Sequence, residues 1–158
     1  MIQSDFIYTI ARTFPESILL ILSGIILLDI KKDKNYILKQ GLILGVIVSI
    51  IRRLPISFGV HTLLSMIAIG AILFNIYRES LLKPIIATCQ IWISLAISEG
   101  IYMLIATQIL SINIENLVNN TGLQGAIITL PSLGIFFITI IIIYKIENKI
   151  KNKIQISK

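Results

Sequence analysis

The 158-residue chain is 56% hydrophobic and only 14% of its residues are charged, against about a quarter in ordinary globular domains. Its mean hydropathy of +0.91 excludes a soluble domain of this size, because its isoleucine-rich runs would present apolar faces to water, whereas lipid solvates such faces directly. The net charge of +6 does not read as a nucleic-acid surface, since the lysines sit beside apolar runs and not on an aromatic-bearing soluble face.

These features predict an all-α integral membrane bundle of about five transmembrane helices in the plasma membrane. The expected spans are residues 6–29, 36–51, 56–77, 82–110 and 123–144, each near the ~20 residues that cross a bilayer. Residues 1–144 then form the membrane domain and residues 145–158 a basic cytoplasmic tail. Residues 1–5 carry no basic n-region and no cleavage site follows the first span, so that span is expected as a retained helix and not a signal peptide.

Span one carries Arg12 and Glu16, an i, i+4 pair that shares a helix face and can neutralise itself. Pro15 between them frees the Ala11 carbonyl and permits a kink that opens a polar pocket. On span two, Gly41, Gly45 and Ser49 make a small-residue stripe suited to close helix packing. The joint between spans two and three reads Arg52-Arg53-Leu54-Pro55-Ile56-Ser57-Phe58-Gly59-Val60-His61-Thr62 and holds the chain's single histidine. Ionisable groups at membrane depth are costly unless used, and two arginines beside a histidine suit an anionic or carboxylate-bearing ligand, or a pH response. Span four contains the single cysteine, Cys89, which excludes an intrachain disulfide. It also contains Glu99, with no basic residue within two turns of its own helix. A buried carboxylate stays protonated or finds a cation on another helix, and Arg12, Arg52, Arg53 and His61 are the candidates. Pro131 in span five predicts a kink or hinge. Beyond it, Ile146, Ile150 and Ile154 recur every fourth residue among Lys149, Lys151 and Lys153, the pattern of an amphipathic extension on anionic headgroups.

Sidedness follows from the basic residues. With the C-terminus inside, inner segments hold Lys31, Lys32, Lys34, Lys39, Arg78, Lys83, Lys145, Lys149, Lys151, Lys153 and Lys158, whereas outer segments hold only Arg12, Arg52 and Arg53. The loop 111–122 has no basic residue and carries Glu115. This asymmetry predicts N-out, C-in. Counting 1.5 Å per residue places Arg12 ~9 Å and His61 ~8 Å below the outer surface, and Glu99 ~16 Å from the outer end of its span. Arg12, Glu16, Arg52, Arg53, His61 and Glu99 are thereby expected in the outer half of the membrane as one ligand-binding pocket. One histidine and no cysteine cluster leave too few ligands for a metal. With no nucleophile elbow or phosphate-binding glycine loop either, no catalytic residue, cofactor or enzymatic activity is expected.

The runs Arg12-Thr-Phe-Pro-Glu16, Arg53-Leu-Pro55, Phe58-Gly-Val-His61-Thr62 and Ser98-Glu99 together resemble the N-terminal multi-spanning membrane region of Firmicute sensor histidine kinases that carry a GHKL-type ATPase domain. The resemblance covers nearly the whole chain. It implies detection of an extracytoplasmic or intramembrane cue and transmission of a helix movement inward. The chain ends at Lys158 with no phosphoacceptor helix or ATP-binding domain. The expectation is therefore a sensor-like or regulatory module without kinase activity of its own, whose partners are the bilayer, a cytoplasmic signalling protein and a second copy in a homodimer. The rival expectations are a small transporter or transporter component, and a structural scaffold.

Overall fold

In a computed structural model, which describes residues 9–55, 58–108 and 123–156, all regular elements are helical and no strand occurs among the described residues. A π-helical turn at Thr9–Thr13 leads into α1 (Phe14–Leu27), followed by α2 (Lys34–Arg53), α3 (Phe58–Ile76), α4 (Leu82–Gln108) and α5 (Leu123–Ile156). The loop 111–122 with Glu115 lies outside the described residues, as does the start of the expected first span. Lys34–Arg53, Gly59–Ile76, Leu82–Gln108 and Leu130–Ile150 are long and apolar enough to cross a membrane, which fits a multi-pass membrane protein. Helix α1, at 14 residues, is shorter than the ~20 that a crossing needs. Four such helices therefore stand among the described residues where five spans were expected. The outer surface is itself apolar: Ile67 is 65% and Leu82 70% exposed. Lipid removes the hydration cost of such side chains.

Local chemistry accounts for the helix ends. Pro15 lies in the first turn of α1, directly after the π-helical turn that runs into it through a helical Thr13 (φ −66°, ψ −38°), so its missing N–H falls where the hydrogen-bond ladder changes register. The irregularity expected around it takes the form of the π-helical turn just before. Helix α2 runs through Arg52 and Arg53, past the expected end at residue 51, because cations suit a C-terminal turn. What stops it is Pro55: Leu54 is extended at φ −69°, ψ 140°, as steric conflict with a following proline requires. Helix α5 stays helical through Pro131 and on to Ile156, so the amphipathic segment after residue 144 continues the last span.

Helix α1 ends in a Schellman turn, in which the Asp29 N–H donates to the Ile26 carbonyl and the Ile30 N–H to the Ile25 carbonyl, at 3.0 and 3.1 Å. Asp29 occupies the left-handed region at φ 55°, which aspartate tolerates better than most residues. Its carboxylate also accepts a hydrogen bond from the Tyr144 hydroxyl at 3.0 Å, joining this end of α1 to α5. Asp29→Val places a β-branched side chain in that conformation and is expected to cost about 1–3 kcal/mol in detergent unfolding titrations. Asp29→Asn should stay close to the parent, and equal behaviour of the two variants would refute the left-handed constraint.

The core draws on every helix: Ile21, Leu44, Ile69, Leu73, Ile91, Phe136 and Ile140 are all fully buried. Helix α1 packs against each of the other four, which makes it the central helix, and Leu20, Ile21, Ile25 and Leu27 are its contribution to the core. Helix α2 approaches it closely at Gly41, where a Cβ would lie 2.7 Å from the Ile18 Cα. The antiparallel succession defines two ends. One gathers the start of α1, the end of α2, the start of α3 and the second half of α4. The other gathers the end of α1 with its following turn, the end of α3 and the start of α4, and Tyr144 brings α5 there.

Candidate functional site

The ionisable groups at the first end form ion pairs that cross between helices. Arg12 donates from Nη2 to Glu99 Oε1 at 2.8 Å, linking the turn before α1 to α4. Arg52 donates from Nη2 to Glu16 Oε2 at 3.3 Å and from Nη1 to Thr13 Oγ1 at 2.9 Å, linking α2 to α1. The i, i+4 pair that the sequence predicts, Arg12 with Glu16, has its Nε and Oε2 4.0 Å apart. Arg12 thus spends its terminal nitrogen on the neighbouring helix, and Glu16 takes its shorter contact from α2. Glu99 has its counter-charge in Arg12, one of the four candidates.

These side chains line an open cavity of about 460 Å³, together with His61. The structure therefore brings together Arg12, Glu16, Arg52, His61 and Glu99, while Arg53 is not part of the lining. Arg53 follows Arg52 by one residue, so on a helix it points about 100° away. Thr62, Ser65, Trp92 and Leu95 complete the wall. Thr62 belongs to the joint already marked in the sequence; Ser65, Trp92 and Leu95 were not singled out, yet their spacing carried the signal. Ser65 lies one turn after His61, and Leu95 and Trp92 lie one and two turns before Glu99, so each shares a face with a residue already marked. Seven residues of helical rise put Trp92 ~10 Å deeper than Glu99 along α4.

Two guanidinium groups face two carboxylates, so the charges of the walls compensate. Their accessibility differs: the side chains of Glu16 and Arg12 are 10% and 16% exposed, and that of Glu99 is 44% exposed. Two further polar atoms of the wall are unsatisfied. His61 Nδ1 and Trp92 Nε1 are buried without a hydrogen-bond partner among the described residues. An indole N–H can only donate, whereas an imidazole nitrogen donates or accepts according to tautomer. Leaving such a group unpaired costs about 1–3 kcal/mol, which an acceptor entering the cavity would recover.

A further polar crossing lies away from this cavity. Gln90 Nε2 on α4 donates to Glu147 Oε1 on α5 at 2.5 Å. The sequence assigned Glu147 to the soluble tail, because the periodicity of a single helix carries no information about a partner on the next. No group of three potential metal-ligating side chains occurs among the described residues. The chain matches no family model, no curated protein and no solved structure, so the reading of this cavity rests on its own chemistry.

Proposed function

We propose that the chain is a sensor or regulatory protein of the plasma membrane, without catalytic activity of its own. In this reading it crosses the bilayer five times, N-out and C-in, with α1 and the turn before it as the fifth pass. The lysine-rich turns would then face the cytoplasm, as the positive-inside bias requires, and the cavity would open in the outer leaflet. The observation that carries the proposal is the cavity itself: a recess walled by two interhelical ion pairs, with a histidine and an indole nitrogen unpartnered in its lining. Arg12, Pro55, His61 and Glu99, drawn from the runs that resemble the membrane region of GHKL-type sensor kinases, belong to the elements that meet at this end.

The mechanism follows from charge compensation. Because each arginine already holds a carboxylate, an incoming anion gains full value only by displacing one. Glu99 is the more accessible of the two and the one to exchange. A carboxylate-bearing ligand on Arg12, reaching the unpaired His61 or Trp92 nitrogen, would release α4 from the start of α1. That shifts the population between two helix packings, and the helical extension to Ile156 would report the change to a cytoplasmic partner.

Trp92 is the only tryptophan in the chain and lines the cavity, so its emission is a built-in reporter. Titration of the purified protein in phosphatidylcholine nanodiscs with acetate, succinate and phosphate is expected to give a saturable shift with at least one anion. Arg12→Gln should weaken that response tenfold or more. No shift with any of these anions, or a shift indifferent to Arg12→Gln, would sink the ligand-exchange reading. Uptake of the same anion into proteoliposomes, abolished by Glu99→Gln, would make the protein a transporter instead.

A further inference from the structure

At the opposite end of the bundle a second cavity, of about 500 Å³, opens where the end of α1 meets the turn between α3 and α4. Lys31 and Lys32 reach it from the turn after α1, and Lys83 from the start of α4. Lys83 is held in place: its Nζ donates to the Tyr77 hydroxyl at 2.6 Å and lies 5.1 Å from the centre of that ring. Tyr77 is itself buried, and its hydroxyl donates to Glu79 at 3.0 Å. The second carboxylate of the wall, Asp29, receives the Tyr144 hydroxyl. Three ammonium groups against two carboxylates leave the cavity with one positive charge, and both carboxylates already accept a tyrosine hydroxyl.

The surroundings are as informative as the lining. Leu27, Leu28 and Ile76 form apolar wall beneath the lysines. On either side of Lys83 in the first turns of α4, Leu82, Ile85 and Ile86 are 70%, 58% and 55% exposed. A basic recess at the end of membrane-crossing helices, with an outward apolar strip on the same helix turns that carry Lys83, offers two different surfaces close together. One suits a phosphate and the other an acyl chain. We propose that this cavity binds the phosphodiester headgroup of an anionic phospholipid, with its acyl chains laid along Leu82, Ile85 and Ile86. The single excess charge matches a single phosphodiester. Lys83, positioned by Tyr77, supplies a fixed cation, while Lys31 and Lys32 close over the headgroup from the turn.

The purified full chain in a neutral detergent provides the test. Its thermal unfolding midpoint is followed with added phosphatidylglycerol, phosphatidylcholine or inorganic phosphate. Phosphatidylglycerol is expected to raise the midpoint by several degrees relative to the other two. Lys31→Gln combined with Lys32→Gln should remove at least half of that rise. Lys34→Gln combined with Lys39→Gln, which deletes the same charge from the same end but outside the cavity, should keep it. An equal rise with inorganic phosphate would overturn the lipid assignment in favour of a free-anion site. Equal losses in the two double variants would reduce the effect to general surface charge and overturn the site. A photoactivatable phosphatidylglycerol reads the unsubstituted protein directly. Labelling concentrated at residues 27–32 and 76–86 supports the site, and labelling spread over all helices refutes it.

Discussion

Arg52→Ala is expected to lower the stability of the bundle by about 2–4 kcal/mol, near the low end for breaking a buried ion pair because the Arg52 side chain is 36% exposed. The loss comes mainly from what is left behind. Glu16 is 8% exposed, and without Arg52 its nearest cation is Arg12, at 4.0 Å. Thr13, fully buried, loses the donor to its hydroxyl. An uncompensated carboxylate costs more than the pair was worth, so removing the charge should repair most of the damage. Arg52→Ala combined with Glu16→Gln is therefore expected to recover more than half of the loss, a coupling that a double-mutant cycle in mixed-micelle unfolding reads directly. Additive costs would mean that Arg52 acts through packing and not through Glu16.

Gly41→Leu is expected to cost about 3 kcal/mol or more, at or beyond the upper end of ordinary overpacking. The reason is the identity of the neighbour. A Cβ at Gly41 would meet the Ile18 Cα at 2.7 Å, and a backbone atom cannot rotate away as a side-chain terminus can. Helices α1 and α2 must separate, which also pulls Arg52 away from Glu16 and Thr13. Gly41→Ala should already lose about 1–2 kcal/mol. Gly100 supplies the control, since nothing lies within 4 Å of a Cβ built there. Gly100→Ala should be neutral or stabilising by up to about 1 kcal/mol through helix propensity. If both alanine variants behave alike in the same unfolding assay, close approach at Gly41 is not what holds α1 against α2.

Much of the architecture was legible in the residues alone. Composition and the length of the apolar runs determined a helical chain suited to lipid. Pro55 marked the joint between α2 and α3, and the pattern of Ile146 and Ile150 among lysines marked the helical extension. The common level of Arg12, Glu16, Arg52, His61 and Glu99 was also legible, because rise along a helix is set by backbone geometry at 1.5 Å per residue. Partner choice was not. The tertiary structure decided that Arg12 holds Glu99, that Arg52 holds Glu16, that Arg53 leaves the cavity wall and that Trp92 enters it. It also made α1 the central helix. These outcomes depend on the rotation of each helix about its axis and on the lateral order of the helices. In helices apolar on nearly every side, periodicity does not encode rotation; close contacts such as Gly41 on Ile18 do, and those exist only once the bundle has formed.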